Sequence, residues 1–373
     1  MIILATAWLL ILLVKTVLTL NVIRRERRQK YQPLFGKVTI IQPILSGDPT
    51  LASVLETNVI ALEQASFMWL IDDNDAVAKN IVNHIQQCYP DKKITVRSFP
   101  QAPEGINPKA FKLEHAWREA DNEVILVLDD DAMLSAAALA QLLAEMGEDT
   151  LVTALPYYTQ TGSRYSALLA QFVNDNSALT YLPLLPWLPP LTINGMCYAL
   201  TTKTLASVGG FAPIQHHLTD DLAMASLLNQ HQIRLIQSTA LVKIQTHLSN
   251  GKKYIQQMHR WFLFATLLLR EKPLKINVLI FLLQGLHPLL LWLMLLNAFS
   301  HPLIFIGCLA IRQFAIAKVQ QEMTADIRAR PVLSLLSELL QPLHLFHALC
   351  NRTIVWRTRR YRVLDNKRFI SDE

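Results

Sequence analysis

The chain has 373 residues, 51% of them hydrophobic and only 17% charged, with a net charge of +6. So few charges at a mean hydropathy of +0.25 exclude a wholly soluble enzyme, because part of such a chain belongs in lipid; 11 Gly and 18 Pro exclude disorder and fibrous repeats. Cys88, Cys197, Cys308 and Cys350 stand apart without a CxxC pair, which argues against a zinc ribbon or disulfide framework and suits a reducing compartment.

In chain order, Ile2 to Val22 is an apolar run long enough to cross a hydrocarbon slab of ~30 Å. Lys15 interrupts it and no small-residue cleavage site follows, so residues 1–23 read as a retained anchor. Arg24, Arg25, Arg27, Arg28 and Lys30 come next and place that end in the cytoplasm by the positive-inside rule.

Residues 36–262 form the intervening domain, and from Gly36 to Met258 the composition is that of a soluble domain. Short apolar runs at Val38–Gln42, Phe67–Ile71, Ile94–Ser98, Val124–Leu128, Leu151–Ala154, Cys197–Leu200 and Leu241–Ile244 alternate with helical stretches. That rhythm predicts an α/β sheet with helices on its faces and chemistry at the carboxyl ends of its strands.

Acids stand at those ends. One run stops at Asp72-Asp73-Asn74-Asp75, another at Asp129-Asp130-Asp131. Three consecutive carboxylates repel one another at a buried edge. A bound Mg²⁺ or Mn²⁺ resolves this by taking hard oxygen ligands, Asp129 and Asp131, and bridging them to phosphate; the competing reading is a solvated turn that caps the helix starting near Ser135.

Tyr165 to Leu191 is too apolar and proline-rich for an exposed loop, yet too broken to span a membrane. It is expected either to dip into the leaflet and admit an acceptor beside Asp221, or to pack against the chain's own membrane hairpin. At Thr219-Asp220-Asp221, helix capping is the first reading and explains one carboxylate; the competing reading makes the second, placed close to an acceptor hydroxyl, a general base. His216-His217 lacks a third ligand and reads as loop. In Gln257-Met258-His259-Arg260-Trp261, Arg260 and Trp261 suit a membrane border, and equally a guanidinium clamp on a diphosphate under an apolar lid.

Residues 276–350 hold the second membrane portion. Ile276–Phe299 reads as a span, Leu303–Ala317 with Arg312 as a shorter one, and Val332–Leu349 with Glu338, Gln341, His344 and His347 as a re-entrant or interfacial helix. Arg270, Lys272, Lys275, Arg328 and Arg330, with Arg357, Arg359, Arg360 and Arg362 of a basic cytoplasmic tail at 351–373, then all face the cytoplasm. The basic excess hugs membrane borders, which favours the lipid bilayer over nucleic acid.

A strand-end Asp, a later Asp-x-Asp, an acid pair and then Gln-x-x-Arg-Trp before transmembrane segments resembles the family 2-like glycosyltransferases. Pro43 through Gly47-Asp48-Pro49 to Leu55-Glu56-Thr57, Gly105-Ile106-Asn107-Pro108-Lys109, Gly195-Met196-Cys197, Gly209-Gly210 and Trp356 to Arg362 are similar to segments of the ceramide glucosyltransferases of family 21. The likeness covers nearly the whole chain. One departure is the run Asp129-Asp130-Asp131, where the eukaryotic ceramide enzymes have a single acid followed by small residues.

The resemblance implies a GT-A nucleotide-sugar-binding fold, a Rossmann-like mixed sheet, between N-terminal and C-terminal transmembrane helices. It implies that Asp73, with Asp72, holds the uridine of a UDP-sugar donor. Lys109 lies close to the nucleotide and Asp130 joins the nucleotide-sugar group. Asp129 and Asp131 engage the metal and diphosphate. Asp221 is the catalytic base with Asp220 beside it, and Gln257, Arg260 and Trp261 close over the diphosphate and acceptor. The expected activity is inverting transfer of a hexose from a UDP-sugar, UDP-glucose first, to a hydroxyl of a membrane lipid such as ceramide, at a bacterial inner membrane or its equivalent. Alternatives are a hopanoid or polyisoprenoid lipid acceptor with UDP-N-acetylglucosamine and, outside the class, a metal-dependent lipid phosphotransferase, which leaves Asp73 and Gln-x-x-Arg-Trp without a task.

Overall fold

Continuous apolar runs, as opposed to alternating ones, mark strands covered on both faces, and the chain forms such strands. The computed structural model describes residues 1–29, 36–159, 162–356 and 359–372; Lys30, Arg357 and Thr358 lie outside the described residues. A long helix Ile2–Arg28 (α1) leads to strand Val38–Pro43 (β1). Then come Leu51–Ala61 (α2), Ser66–Asp72 (β2), Ala76–Cys88 (α3), Ile94–Phe99 (β3), Pro108–Ala116 (α4), Val124–Leu128 (β4), Ala132–Leu134 (β5) and Ala136–Glu145 (α5). Thr150–Tyr158 (β6), Arg164–Tyr181 (α6), Cys197–Thr201 (β7), Thr202–Ser207 (α7), Asp220–Gln230 (α8) and Arg234–Ile244 (β8) follow. The remainder holds Gly251–Glu271 (α9), Leu274–Ile280 (α10), Leu286–Leu296 (α11), Pro302–Met323 (α12) and Pro331–Cys350 (α13), then Thr353–Trp356 (β9), Arg359–Val363 (β10) and Phe369–Asp372 (β11).

Eight strands form one mixed sheet in the order β3-β2-β1-β4-β7-β6-β8-β5. The first four are parallel, β7 runs antiparallel between β4 and β6, and β8 is parallel to β6. One face buries Ile40, Phe67, Trp69 and Leu126 against α2, α3, α5 and α6. The other buries Ile41, Met68, Leu70 and Ile125 against α4 and α8. Each fully buried side chain of this kind contributes about 1.5–3 kcal/mol. Register then sets the site: Leu128 pairs with Cys197, so the carboxyl end of β4 meets the residues that open β7.

Two segments take on definite structure. Of the two readings of Tyr165–Leu191, packing against the chain's own apolar helices fits residues 165–181: they lie within α6, which packs on β6, α13, α12 and α1 with most of its length buried. Its polar residues are what allow that position. Asn174 accepts from the Tyr158 N–H (2.8 Å) and donates to the Tyr158 carbonyl (2.9 Å), and Ser177 donates to the Pro156 carbonyl (2.7 Å). Only residues 182–191 form the proline-rich connection, with Trp187 64% exposed. The basic tail, in turn, is a three-stranded antiparallel sheet in the order β11-β10-β9. Ile354, Tyr361, Val363 and Phe369 pack with Leu263, Leu267 and Ala348, while Arg360 and Arg362 face outward.

Among the described residues four helical segments are long and apolar enough to cross a membrane: Ile2–Arg28, Leu274–Leu296, Pro302–Met323 and Pro331–Cys350. The second contains a π turn at Phe281–Gly285 just before His287-Pro288. Pro288 has no N–H to offer the turn before it. Lys15 of α1 donates into that turn, its Nζ bonding the Leu283 carbonyl (3.0 Å) and Gln284 Oε1 (2.9 Å). A lysine within an apolar run is thereby accounted for.

Candidate active site

The site is assembled at the carboxyl edge of the sheet by a lysine on the first turn of α4. Asn107 caps that helix, accepting from the Lys109 and Ala110 N–H groups (3.0 and 3.2 Å), and so fixes where Lys109 points. Lys109 Nζ lies 2.7 Å from Asp129 Oδ1, at the end of β4, and 3.3 Å from Asp220 Oδ2, at the start of α8. It also donates to the Gly195 carbonyl (2.7 Å). Burial alone lowers the affinity of this ammonium for its proton, but Asp129 and Asp220 outweigh it and hold Lys109 charged above the usual lysine range.

Gly195 leaves little room for a side chain next to the acid pair. A Cβ there would sit 3.1 Å from the Cβ of Asp221, so glycine lets the residues before β7 close on the acid pair. Asp221 accepts from the Leu222 N–H (2.8 Å). Burial and then the charge of Asp220 push its carboxyl up to about 7, against the pull of that N–H and of Lys109. Tyr181 and Tyr198 also lie within its field.

On the other flank, Asp131 accepts from Thr246 Oγ1 (2.8 Å) and Asp130 accepts from the Leu45 N–H (2.7 Å). Burial, then Asp130 and Asp129, push Asp131 up to about 7 as well. Asp129, with its own N–H on the Met196 carbonyl (2.9 Å), completes the triplet. Among the described residues no three His, Cys, Asp or Glu side chains converge to hold a metal unaided. The donor set nevertheless fits Mg²⁺ or Mn²⁺. Hard carboxylate oxygens carry surplus negative charge, and such ions are held by one or two carboxylates with the remaining ligands from phosphate and water.

Asp72 is tied to Lys112 (2.6 Å), three residues along α4 from Lys109. Asp73 is exposed beside it, and its carbonyl accepts from Lys79 (2.7 Å). Asp75 instead caps α3 and accepts from the Ser46 N–H, a structural task. Arg260 donates to Gln257 Oε1 (3.0 Å), and Trp261 packs edge-on to Tyr158 and across Phe172. Tyr158 lies within the fields of Asp131, Arg260 and Asp129, so Arg260 of α9 and the acid triplet act on the same side chain. His217 contributes backbone alone, its carbonyl accepting from Asn107 Nδ2 (3.1 Å). Sequence reasoning passes over Lys112 and Thr246; the i, i+3 spacing of Lys109 and Lys112 on one helix face was the available signal for the first.

A mixed sheet of this order with acids gathered at its carboxyl edge is a GT-A-type glycosyltransferase fold. The mannosyltransferase PcManGT from Pyrobaculum calidifontis, solved in complex with GDP-Man and Mn²⁺, shares it with a TM-score of 0.50 at 13% identity, covering 93% of this chain and 98% of that one. Residues 4–369 match the model of glycosyl transferase family 21, and the chain belongs to that family. Ceramide glucosyltransferase 1 of Caenorhabditis elegans is 22% identical over 228 residues, 59% of this chain. The match spans 47% of that relative's length.

Proposed function

We propose that this chain is an inverting glycosyltransferase that moves a hexose from a UDP-sugar, UDP-glucose first, to a hydroxyl of a membrane lipid such as ceramide, giving a β-linked glycolipid. The observation that carries this reading is Lys109: one buried ammonium joins the strand-end acid Asp129 to the helix-start acid Asp220, so segments distant in sequence meet at one point. Family membership over residues 4–369 supports the same class.

Asp221, its carboxyl raised to about 7, is suited to take the proton of the acceptor hydroxyl as the oxygen attacks the anomeric carbon. A single displacement inverts the configuration there. Asp72 and Asp73 face the uridine, with Lys112 holding Asp72 in place. Arg260, oriented by Gln257, offers a planar fork to the diphosphate as its charge grows. Asp129 and Asp131 would hold a divalent cation, which supplies further neutralisation of that leaving group. Trp261 excludes water from the same side. The four long apolar helices support membrane attachment, with the catalytic domain on the cytoplasmic side next to the basic groups.

The test is calorimetry of the detergent-purified chain with Mn²⁺ and UDP, ADP or GDP, followed by a panel of UDP-sugars with host lipid extract, read by mass spectrometry. Uridine preference and one new hexosyl lipid are expected. Equal binding of all three nucleotides would overturn the donor assignment, as expected for a lipid phosphotransferase.

A further inference from the structure

The α8 helix begins at Thr219, and its start is unusual. A threonine at that position ordinarily accepts a hydrogen bond from an N–H of the first turn, but the Thr219 side chain makes no such cap. Its Oγ1 instead donates outward to Oδ1 of Asn366, 147 residues away (2.7 Å), and its N–H donates to the same oxygen (2.9 Å). The Leu218 N–H donates to the Asn366 carbonyl (2.8 Å). Nδ2 of Asn366 is spent on Glu271 Oε1 (3.1 Å), at the end of α9.

Asn366 is 6% exposed and sits in the turn between β10 and β11. Leu218 is buried among Leu263, Leu267, Ala348, Ile354, Tyr361, Val363 and Phe369. From the opposite side, Asn107 Nδ2 bonds the His217 and Leu218 carbonyls (3.1 and 3.2 Å). The three residues ahead of the acid pair are thus tied down by two elements: Leu218 and Thr219 by the tail sheet, and His217 and Leu218 by the cap of the lysine-bearing helix.

We propose that Asn366 is a positioning residue for Asp220 and Asp221, so that the tail sheet sets the geometry of the acid pair while touching no substrate. Every polar group of its side chain is committed: Oδ1 to Thr219, Nδ2 to Glu271. The carboxamide therefore links the start of α8 to α9, the helix that carries Gln257, Arg260 and Trp261. Base and diphosphate clamp are held in one frame, and a displacement of about 1 Å at such a position costs on the order of 10²-fold in turnover.

The inference rests on the reading of Asp221 as base, and the experiment separates the two. In the full-length chain, kcat at saturating donor and acceptor and the Kd for UDP are measured for N366A, N366D, the pair N366D with E271Q, and D221N. N366A is expected to lower kcat on the order of 10²-fold with the UDP Kd unchanged to within about threefold. N366D keeps an acceptor for Thr219 but sets a carboxylate against Glu271, and is expected to lower kcat about tenfold. Adding E271Q restores a donor–acceptor pair with the roles exchanged and is expected to return kcat to within about threefold of wild type. A general loss of structure would not be repaired by that exchange. Wild-type kcat in N366A, or no recovery of N366D by E271Q, would overturn the positioning role; if N366A does not fold, the exchange decides alone. D221N retaining transfer would overturn the base reading instead.

Discussion

Between α6, α12 and α13, Arg312 donates to Glu338 (2.5 Å) and to Ser334 (2.7 Å), and Ser334 donates to Asp175 (2.6 Å). Gln171 and Gln320 complete the Asp175 carboxylate, and His287 lies 2.7 Å from Glu338. At the sheet edge, by contrast, Lys109 pairs with Asp129 and Asp220, Asp221 stands beside Asp220, and Asp130 and Asp131 follow Asp129, accepting from the Leu45 N–H and from Thr246 Oγ1. In the first network one guanidinium faces both acids, with Ser334, Gln171 and Gln320 as further donors to Asp175, although burial still raises that carboxyl to about 6. The second is left acidic, and two of its carboxylates are raised to about 7. The difference teaches that buried charge is not by itself a sign of function. A balanced network stabilises packing, whereas an unbalanced one is poised for a cation, a proton or a ligand.

The strongest way to break this contrast is at the sheet edge. D221N is expected to lower transfer by roughly 10²–10⁴-fold while UDP still binds, as read by product formation beside calorimetry. Transfer within a few-fold of wild type would remove Asp221 from the chemistry.

The bundle network should answer in stability alone. Removing one member of a buried ion pair leaves the other uncompensated, at a cost of about 3–5 kcal/mol, whereas replacing both by apolar residues is far milder. R312M should therefore lower the apparent Tm in detergent, R312M with E338L should recover much of the loss, and UDP affinity should not move in either. If UDP binding fell in R312M with Tm intact, the balanced network would itself be a ligand site.

How much of this was legible beforehand depended on the kind of signal. Strands covered on both faces write themselves as unbroken apolar runs, so β1 to β4 and β7 are recognisable to within a residue or two. β8 is longer than its apolar end because Gln237, Ser238 and Thr239 sit mid-strand. The tail strands alternate at period two, Arg360 and Arg362 outward, Tyr361 and Val363 inward, but the density of arginine masks that rhythm. α6 reads as broken because its polar face is satisfied by β6 and by Gln320, partners that no local pattern reveals. At the site, the acids are visible as clusters at strand and helix ends, and Lys112 through its spacing from Lys109, while Thr246 and Asn366 become relevant only when distant segments meet.

A smaller effect with the opposite sign sharpens the comparison from the acidic side. Asp131 has a folded value near 7 against 3.8 for an ordinary aspartate. Its contribution to stability is therefore fully present below about pH 4 and is lost as pH rises through 7. At pH 8 without divalent metal, D131N should raise the apparent Tm, by the equivalent of roughly 1–4 kcal/mol, and weaken Mn²⁺-dependent UDP binding. An acid whose removal stabilises the fold but impairs the ligand is serving the ligand. A lower Tm in D131N would instead class Asp131 with the bundle network.

The smallest expected effect concerns pH. Asp221 must be ionised to act as base, so kcat should rise with pH through a limb near 7 and level off above it. The groups facing it are Asp220, which raises its value, Lys109, which lowers it, and Tyr181 and Tyr198, which stay neutral near that pH. D220N removes the acid whose charge raises Asp221 and leaves Lys109 in place, so the limb should move to lower pH, with burial, the larger cause, keeping it above the ordinary aspartate range. The informative quantity is the direction of the shift in kcat at saturating substrates. A limb that stays fixed in D220N would mean that a different group ionises in the rate-limiting step. A limb that moves down while the residual rate persists would place the working proton on Asp221 and make Asp220 the charge that tunes it.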